Sequence, residues 1–262
     1  MSFFSPVELV NTQTIALTDV ERISINYVAE SITFYEAEDE MLVLKEYLND
    51  TDPELFARIT VENDAITIKH GRRPKFVSPI RGYIEVFLPS SYYGALKVQT
   101  ISGRIGAEGT LVLSDLWMNS TSGKLALGDI TAGTADLSTV SGAIEARRLK
   151  AVAKVHSTSG AIRVGGGAGH GQYKNVSGAI EVAYQDVVGD ITAGSVSGRV
   201  LLAVPSTLSF TVDAHSTSGR VDIPFTGSLS GGRHAQVGTI GHSPRAHIKL
   251  STVSGRIEMI GI

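Results

Sequence analysis

The feature that most constrains this chain is a four-residue motif that recurs eight times between Thr100 and Gly255. Each copy reads small polar residue, β-branched residue, serine, glycine, and an aliphatic residue follows two positions later. Self-similarity with a period near 20 residues is typical of a solenoid, in which each repeat is one coil. The motif glycines are Gly103, Gly123, Gly142, Gly160, Gly178, Gly198, Gly219 and Gly255, at spacings of 20, 19, 18, 18, 20, 21 and 36 residues.

The motif switches the apolar face of the chain. Upstream of the first copy, the apolar residues Leu96 and Val98 share the parity of the small polar residue Thr100, whereas downstream Ile105 has the opposite parity. Alternate residues of a strand point to opposite faces, so the serine-glycine step is predicted to be a bend between two strands.

We expect the motif glycine to adopt a positive φ, because only glycine does so without a Cβ clash. The bend leaves backbone groups unpaired, and we expect an inward-facing polar ladder to bind them. The ladder residues are Thr100, Ser120, Thr139, Ser157, Asn175, Ser195, Ser216 and Thr252.

These patterns predict an all-β, single-stranded type of β-solenoid (β-helix) with about seven or eight coils of 18–21 residues. Glycine is confined almost entirely to residues 89–262, which hold 26 of the 28 glycines. Residues 1–88 instead show short alternating segments such as Ile23 to Ile25 and Ile84 to Val86, which indicate strands. We therefore divide the chain into a β-rich N-terminal region, 1–88, that caps or extends the solenoid, and the repeat solenoid, 89–262.

The C-terminal coil is predicted to end the stack. The long spacing between Gly219 and Gly255 indicates a degenerate coil with an irregular stretch over residues 227–244. Residues 257–262 carry no obvious polar cap, and an exposed strand edge invites pairing. Self-association through this C-terminal edge is therefore one expectation for the chain.

With its repeated Ser-Gly motif and the segment Gly82-Tyr83-Ile84-Glu85-Val86-Phe87-Leu88-Pro89, the chain resembles the bacterial putative adhesin domain of unknown function, the LiaG-like β-solenoid group. The resemblance covers residues 15–262. It implies a β-solenoid that is not an enzyme and that is associated with the cell envelope and its stress-response genes.

Composition bounds the function. A formal net charge of −3 gives no whole-protein attraction to nucleic acid, and the absence of cysteine excludes disulfides and thiolate sites. No signal peptide or transmembrane stretch is visible, so we expect a cytoplasmic location or attachment through a partner or a further segment.

No residue pattern predicts a catalytic, cofactor or metal site. His156 and His215 occupy equivalent places three coils apart, too far to share an ion, and His234, His242 and His247 fall near the irregular stretch. The serines recur because the corner recurs, and the glycine run 165–169 lacks the lysine and helix of a phosphate loop.

Basic residues directly after the corner glycines form the one candidate interaction site. They are Arg104, Lys124, Arg199, Arg220 and Arg256, which we call the basic ladder. Stacked coils would place it on one solvent face, facing a protein, an anionic envelope polymer or a lipid surface. The predicted function is a non-enzymatic structural or interaction scaffold. The alternatives are a self-assembling solenoid filament and a carbohydrate-active β-helix enzyme, which would need paired carboxylates in a groove.

Overall fold

The computed structural model describes residues 6–73 and 80–262, and in this part of the chain nearly all regular structure is β-strand. One 3-10 turn covers Pro53–Leu55. The strands are β1 Glu8–Ala16, β2 Arg22–Asn26, β3 Ser31–Glu36, β4 Met41–Leu48, β5 Arg58–Glu62, β6 Ala65–Lys69, β7 Gly82–Leu88, β8 Ala95–Thr100, β9 Ile105–Ser120, β10 Leu125–Thr139, β11 Ile144–Ser157, β12 Ile162–Ala168, β13 Gly171–Asn175, β14 Ile180–Asp186, β15 Ile191–Ser195, β16 Val200–Val204, β17 Phe210–Ser216, β18 Val221–Asp222, β19 Gly227–Gly232, β20 Ala235–Ile240, β21 Ala246–Thr252 and β22 Ile257–Gly261.

The strands form the predicted β-solenoid. Equivalent residues of successive coils pair in parallel register, so that Leu125 lies opposite Ile105 on one side and Ile144 on the other. We call the strands before each corner the first sheet and those after it the second sheet. The long strands β9, β10 and β11 each start in the second sheet and end in the first.

The corner switches faces as predicted. Val98 and Ile105 are both fully buried although their parities differ. The polar ladder is also confirmed, because all eight of its residues are buried. In one typical corner, the Ser120 hydroxyl accepts a hydrogen bond from the Gly123 amide at 2.8 Å and donates to the Gly103 carbonyl at 3.4 Å. Seven of the eight ladder residues accept a hydrogen bond from the corner glycine amide in this way, and the exception, Thr139, donates to the Gly142 carbonyl at 2.6 Å.

The expected positive φ of the corner glycines is wrong. Positive φ occurs at Gly109, Gly169, Gly231 and Gly241, none of which belongs to the motif. Glycine is needed at the corner because the coils approach so closely there. A Cβ on Gly123 would lie far inside the van der Waals distance of the Gly103 carbonyl oxygen, and the same contact recurs at the other corners.

Strands from residues 1–88 continue the same two sheets. The coil β2–β3 stacks directly on β8–β9, and β6–β7 stacks on β2–β3. At the β2–β3 corner, Tyr27 occupies the ladder position and Glu30 the glycine position. Strands β1, β4 and β5 pair antiparallel and end the sheets. One hydrophobic core runs from Ile23 to Met259.

The expectation that the C-terminal coil ends the stack is wrong. Strand β21 pairs with β15 on one side and β17 on the other, while β22 lies between β16 and β18. The last coil in sequence is therefore inserted one place inside the stack. The outer end of the first sheet is formed by the antiparallel strands β20 and β19, which occupy the stretch predicted to be irregular. Within the described residues, no helix has the length and apolar character needed to cross a membrane.

Candidate functional site

The outer face of the second sheet carries the predicted site residues. Because the second and fourth residues after each corner glycine point into the core, the first, third and fifth point outward. Parallel register places equivalent positions of neighbouring coils side by side, about 4.8 Å apart. The outer face is thus a grid of three rows running along the solenoid, and the basic ladder occupies the first row.

Most of the basic ladder is held in ion pairs. The Lys124 amine lies 2.5 Å from a Glu145 carboxylate oxygen. Arg199 and Arg256 both bind Glu258, and Arg256 also lies 3.2 Å from Asp222. Arg104 and Arg220 make no ion pair with the described residues. The ladder is therefore a mixed-charge surface, in which three of the five cations are bound by acids that sequence inspection did not single out.

The acids follow one geometric rule. Glu145, Glu258 and Asp222 all occupy the third position after a corner glycine. A cation at the first position of one coil reaches sideways to an acid at the third position of the next coil, as Lys124 does with Glu145 and Arg199 with Glu258. The hydrogen bond from Lys124 holds the pKa of Glu145 below its usual range, opposed by partial desolvation. These pairs join adjacent coils laterally.

The largest concentration of positive charge lies in two adjacent coils. Residues 143–179 contain six Lys and Arg against one Glu, a net charge of +5 in a chain whose total is −3. All six cations are exposed. We call them the cationic belt: Arg147, Arg148, Lys150, Lys154, Arg163 and Lys174.

The belt surrounds the solenoid. Arg147 and Arg163 project from the second sheet, whereas Lys154 and Lys174 project from the first. Lys150, Lys154 and Lys174 make no ion pair with residues 6–73 or 80–262. The run Arg147-Arg148-Leu149-Lys150 was the sequence signal that could have revealed the belt.

Within the belt, cations outnumber the acids that bind them. Arg147 and Arg148 share the carboxylate of Asp129, with 2.7 Å between Arg147 Nε and Asp129 Oδ1. Hydrogen bonds from these guanidinium groups, chiefly Arg148, hold the pKa of Asp129 below its usual range. Arg163 spans Glu145 and Glu181 at 3.3 Å to each. The arginine side chains remain more than half exposed, so an external anion can reach them.

Four aromatic rings lie near the N-terminal end of the same outer face. Tyr47 stacks on Tyr83 with a centroid distance of 4.4 Å, and Tyr35 stacks on Phe87 at 5.3 Å. The Lys45 amine lies 4.6 Å from the centroid of Phe87. Desolvation and the charge of Glu85 raise the pKa of Tyr35, and Glu108 adds to the shift. Sequence reasoning missed this group because its members come from three strands.

A trough of about 500 Å³ separates the aromatic group from the belt. Its floor contains the small residues Ala126 and Gly128, and its rim carries Glu108, Arg147 and Arg163. Gly109, with a φ of 86°, forms a bulge opposite Gly128 that interrupts the register between β9 and β10. The trough is open to solvent.

The described residues contain no group of side chains suited to holding a metal ion. Within residues 6–73 and 80–262, no three His, Asp or Glu side chains are grouped so as to hold an ion. Glu145 lines the trough but is bound by two cations, and its lowered pKa opposes a role as a proton donor. Asp190 accepts a hydrogen bond from the His247 amide at 2.9 Å, a contact between coils.

Several solved structures resemble the chain along most of its length. A "putative lipid binding protein" from Parabacteroides distasonis is 14% identical, with 95% of this chain and 96% of that chain covered and a TM-score of 0.49. A "putative adhesin" from Bacteroides fragilis is 15% identical, with 95% and 96% covered and a TM-score of 0.46. A "putative cell adhesion protein" from Clostridium sporogenes is 11% identical, with 95% and 97% covered and a TM-score of 0.35.

No curated protein matches the chain in sequence. Residues 20–259 match the family described as Toastrack DUF4097, and the chain belongs to that family. The match begins within the N-terminal region and ends in β22, so it includes the inserted C-terminal coil. The suspected kinship with the adhesin-like β-solenoid group is thereby confirmed.

Proposed function

We propose that this member of the Toastrack DUF4097 family is a non-enzymatic, adhesin-like interaction scaffold whose cationic belt binds an anionic partner. The belt is the observation that carries the proposal. It concentrates a net charge of +5 on two coils of a chain that is otherwise acidic. Such an asymmetry raises the local concentration of anions and speeds association with them.

The solenoid supports this role by holding the belt rigidly. Strands β11, β12 and β13 are paired on both sides, and their inward residues Ile144, Val155 and Ile162 are fully buried. The backbone positions that carry the belt cations therefore keep fixed spacings along strands and between coils. Because the backbone is already ordered, only the side chains lose conformational freedom when the belt binds a partner with regularly spaced charges.

Only part of the basic ladder contributes to the proposed binding surface. Arg104 lies beside the trough and extends the belt's positive surface, whereas the charge of Lys124 is compensated by Glu145. Arg199 and Arg256 are occupied by Glu258, so their charge is largely compensated before any partner arrives. We assign the binding role to the belt and treat the distal part of the ladder as a set of ties between coils.

Retention of the full chain on beads coated with a polyanion tests the proposal. We expect binding at low ionic strength that weakens as salt rises past about 0.15 M, where the screening length is about 8 Å. Replacing Lys150, Lys154 and Lys174 by glutamine should abolish most retention. The control replaces Lys45, Lys97 and Lys249 by glutamine, the same change of charge outside the belt. Absence of retention at low salt, or equal loss in both variants, would overturn the proposal.

Filament formation is the second candidate. Insertion of the C-terminal coil removes the edge on which that hypothesis relied. At the N-terminal ends of the two sheets, β1 carries Glu8 and a bulge between Leu9 and Asn11, and β5 carries Arg58 and Glu62. Bulges and charged residues on edge strands oppose pairing with another chain. Light scattering that stays constant with protein concentration is the result we expect.

A further inference from the structure

The described strands leave four edges at the ends of the two sheets, and three of these edges oppose pairing with another chain. Strand β1 carries Glu8 and a bulge, and β5 carries Arg58 and Glu62. Strand β18 is only two residues long and includes Asp222. Charged residues, bulges and short length are the means by which edge strands avoid pairing with other chains. The fourth edge, β19, has none of these features.

Strand β19 is an open and neutral edge. Its sequence over Gly227–Gly232 is Gly-Ser-Leu-Ser-Gly-Gly, with no charged residue and no proline. Its register with β20 shows no shift along the whole strand, so it contains no bulge. Among the described strands it pairs only with β20, and all of its residues except Leu229 are exposed. The backbone amides and carbonyls on its free side are therefore available to another strand.

The side chains of β19 fit a second copy of the same strand. Gly227 lies opposite the buried Ile240, so Gly227, Leu229 and Gly231 face inward, and Leu229 packs against the core. If two copies pair antiparallel about Ser230, Leu229 of each copy lies opposite Gly231 of the other. Directly opposed side chains lie on the same face of a sheet, and the glycine leaves room for the leucine. Ser230 then faces its own equivalent, and no two charges meet.

We propose that the chain forms a two-fold dimer in which β19 pairs antiparallel with β19 of a second copy. Both copies use the same surface, so the interface closes on itself and no third copy can add to it. Since β1, β5 and β18 are protected, the dimer does not extend into a filament. The dimer goes beyond the proposed function, and it carries two cationic belts, which raises the avidity for an extended polyanion that reaches both.

Size-exclusion chromatography with light scattering detection tests the proposal on the full chain. In the high micromolar range we expect a constant mass of twice the chain mass of 27.7 kDa. High salt should leave the dimer intact while it weakens polyanion binding, because uncharged groups form this interface. A chain that stays monomeric would overturn the proposal. Dissociation of the dimer in high salt would also overturn it, and would favour contact between the cationic belt and acidic residues of a second copy.

Substitutions at Ser230 test the two-fold arrangement. Ser230→Lys places two lysines opposite each other and should weaken dimerisation about fivefold, because opposed like charges are destabilising. Ser230→Glu should have the same effect alone, whereas an equimolar mixture of the two variants should regain the dimer, which also shows that both fold. Ser251→Lys is the matched control, because Ser251 is exposed on β21, a strand paired on both sides. A mixture that stays monomeric, or equal weakening by Ser251→Lys, would contradict the proposal.

Discussion

Replacing Ser157 by alanine distinguishes the structural role of the ladder serine from that of Ser159, the serine of the Ser-Gly pair in the same corner. The Ser157 hydroxyl is fully buried, accepts a hydrogen bond from the Gly160 amide at 3.0 Å and donates to the Gly142 carbonyl at 3.3 Å. Thr139 Oγ1 of the preceding coil lies 3.0 Å from the Ser157 hydroxyl oxygen and donates to the Gly142 carbonyl at 2.6 Å. The variant leaves the buried Gly160 amide without its partner.

The expected loss follows from that unpaired amide. A buried donor left without a partner costs about 1–3 kcal/mol. For a chain of this size, 1 kcal/mol lowers the melting temperature by about 2–4 °C, so Ser157→Ala should melt several degrees below the parent. Ser159, the serine of the Ser-Gly pair itself, is exposed. Ser159→Ala should therefore change stability by less than about 0.5 kcal/mol.

Chemical denaturation followed by circular dichroism measures both variants under one condition. Ser157→Thr serves as the rescue, because threonine occupies the same rung at Thr100, Thr139 and Thr252 and retains the hydroxyl oxygen. Equal effects of Ser157→Ala and Ser159→Ala would refute the assignment of the corner hydrogen bonds to the ladder residue. A rescue variant as unstable as the alanine variant would refute it as well.

Three further predictions follow from packing and charge. Gly160→Ala should destabilise the chain by about 1–3 kcal/mol, because its Cβ meets the Gly142 carbonyl, whereas Gly232→Ala, which enters open space, should be nearly neutral in the same denaturation assay. Residues 89–262 alone should lose cooperative unfolding, since the cut exposes β8 and β9 along one continuous core; a cooperative fragment would favour two domains. Because folding lowers the pKa values of Asp129 and Glu145, both carboxylates stabilise the folded state above about pH 4, and this contribution is lost as the pH falls through the lower folded pKa values. In acid titrations, an Asp129→Asn variant should show a weaker dependence of the free energy of unfolding on pH.

The corner could be predicted from sequence because its chemistry is local. Parity alone identified the face switch, and the small polar residue at a fixed offset identified the ladder. The reason for glycine could not be obtained locally, since the clash involves a carbonyl of the neighbouring coil. The first coil was missed because Glu30 replaces glycine; its carboxylate binds Arg73, with 2.8 Å between Arg73 Nε and Glu30 Oε1.

The candidate site also has a part that the sequence predicts and a part that only the structure shows. Positive charge after the corner glycines and in residues 143–179 is visible in the sequence. The ion pairs are not, because they join the first position of one coil to the third position of the next. Whether Lys124 is free or bound depends on a lateral offset that the sequence does not show. The trough likewise needs Glu108 of β9 and Arg163 of β12 to be brought together across four strands.

The inserted C-terminal coil shows the limit of motif reasoning, because the Ser218-Gly219 and Ser254-Gly255 corners are equivalent in sequence and either could follow Ser197-Gly198. Cysteine cross-linking can determine the order, since the chain contains no cysteine and the exposed corner serines of adjacent coils lie about 4.8 Å apart, within disulfide range. We expect the pairs Ser197→Cys with Ser254→Cys, and Ser218→Cys with Ser254→Cys, to oxidise readily.

The pair Ser197→Cys with Ser218→Cys is the matched control. In the observed order these positions are two coils apart, about 9.6 Å, which is beyond the reach of a disulfide without backbone movement. A stack built in sequence order would reverse the result, because Ser197 and Ser218 would then be neighbours and Ser197 and Ser254 would not. Mass spectrometry of the oxidised native protein distinguishes the two orders, and rapid bridging of Ser197→Cys to Ser218→Cys would contradict the insertion.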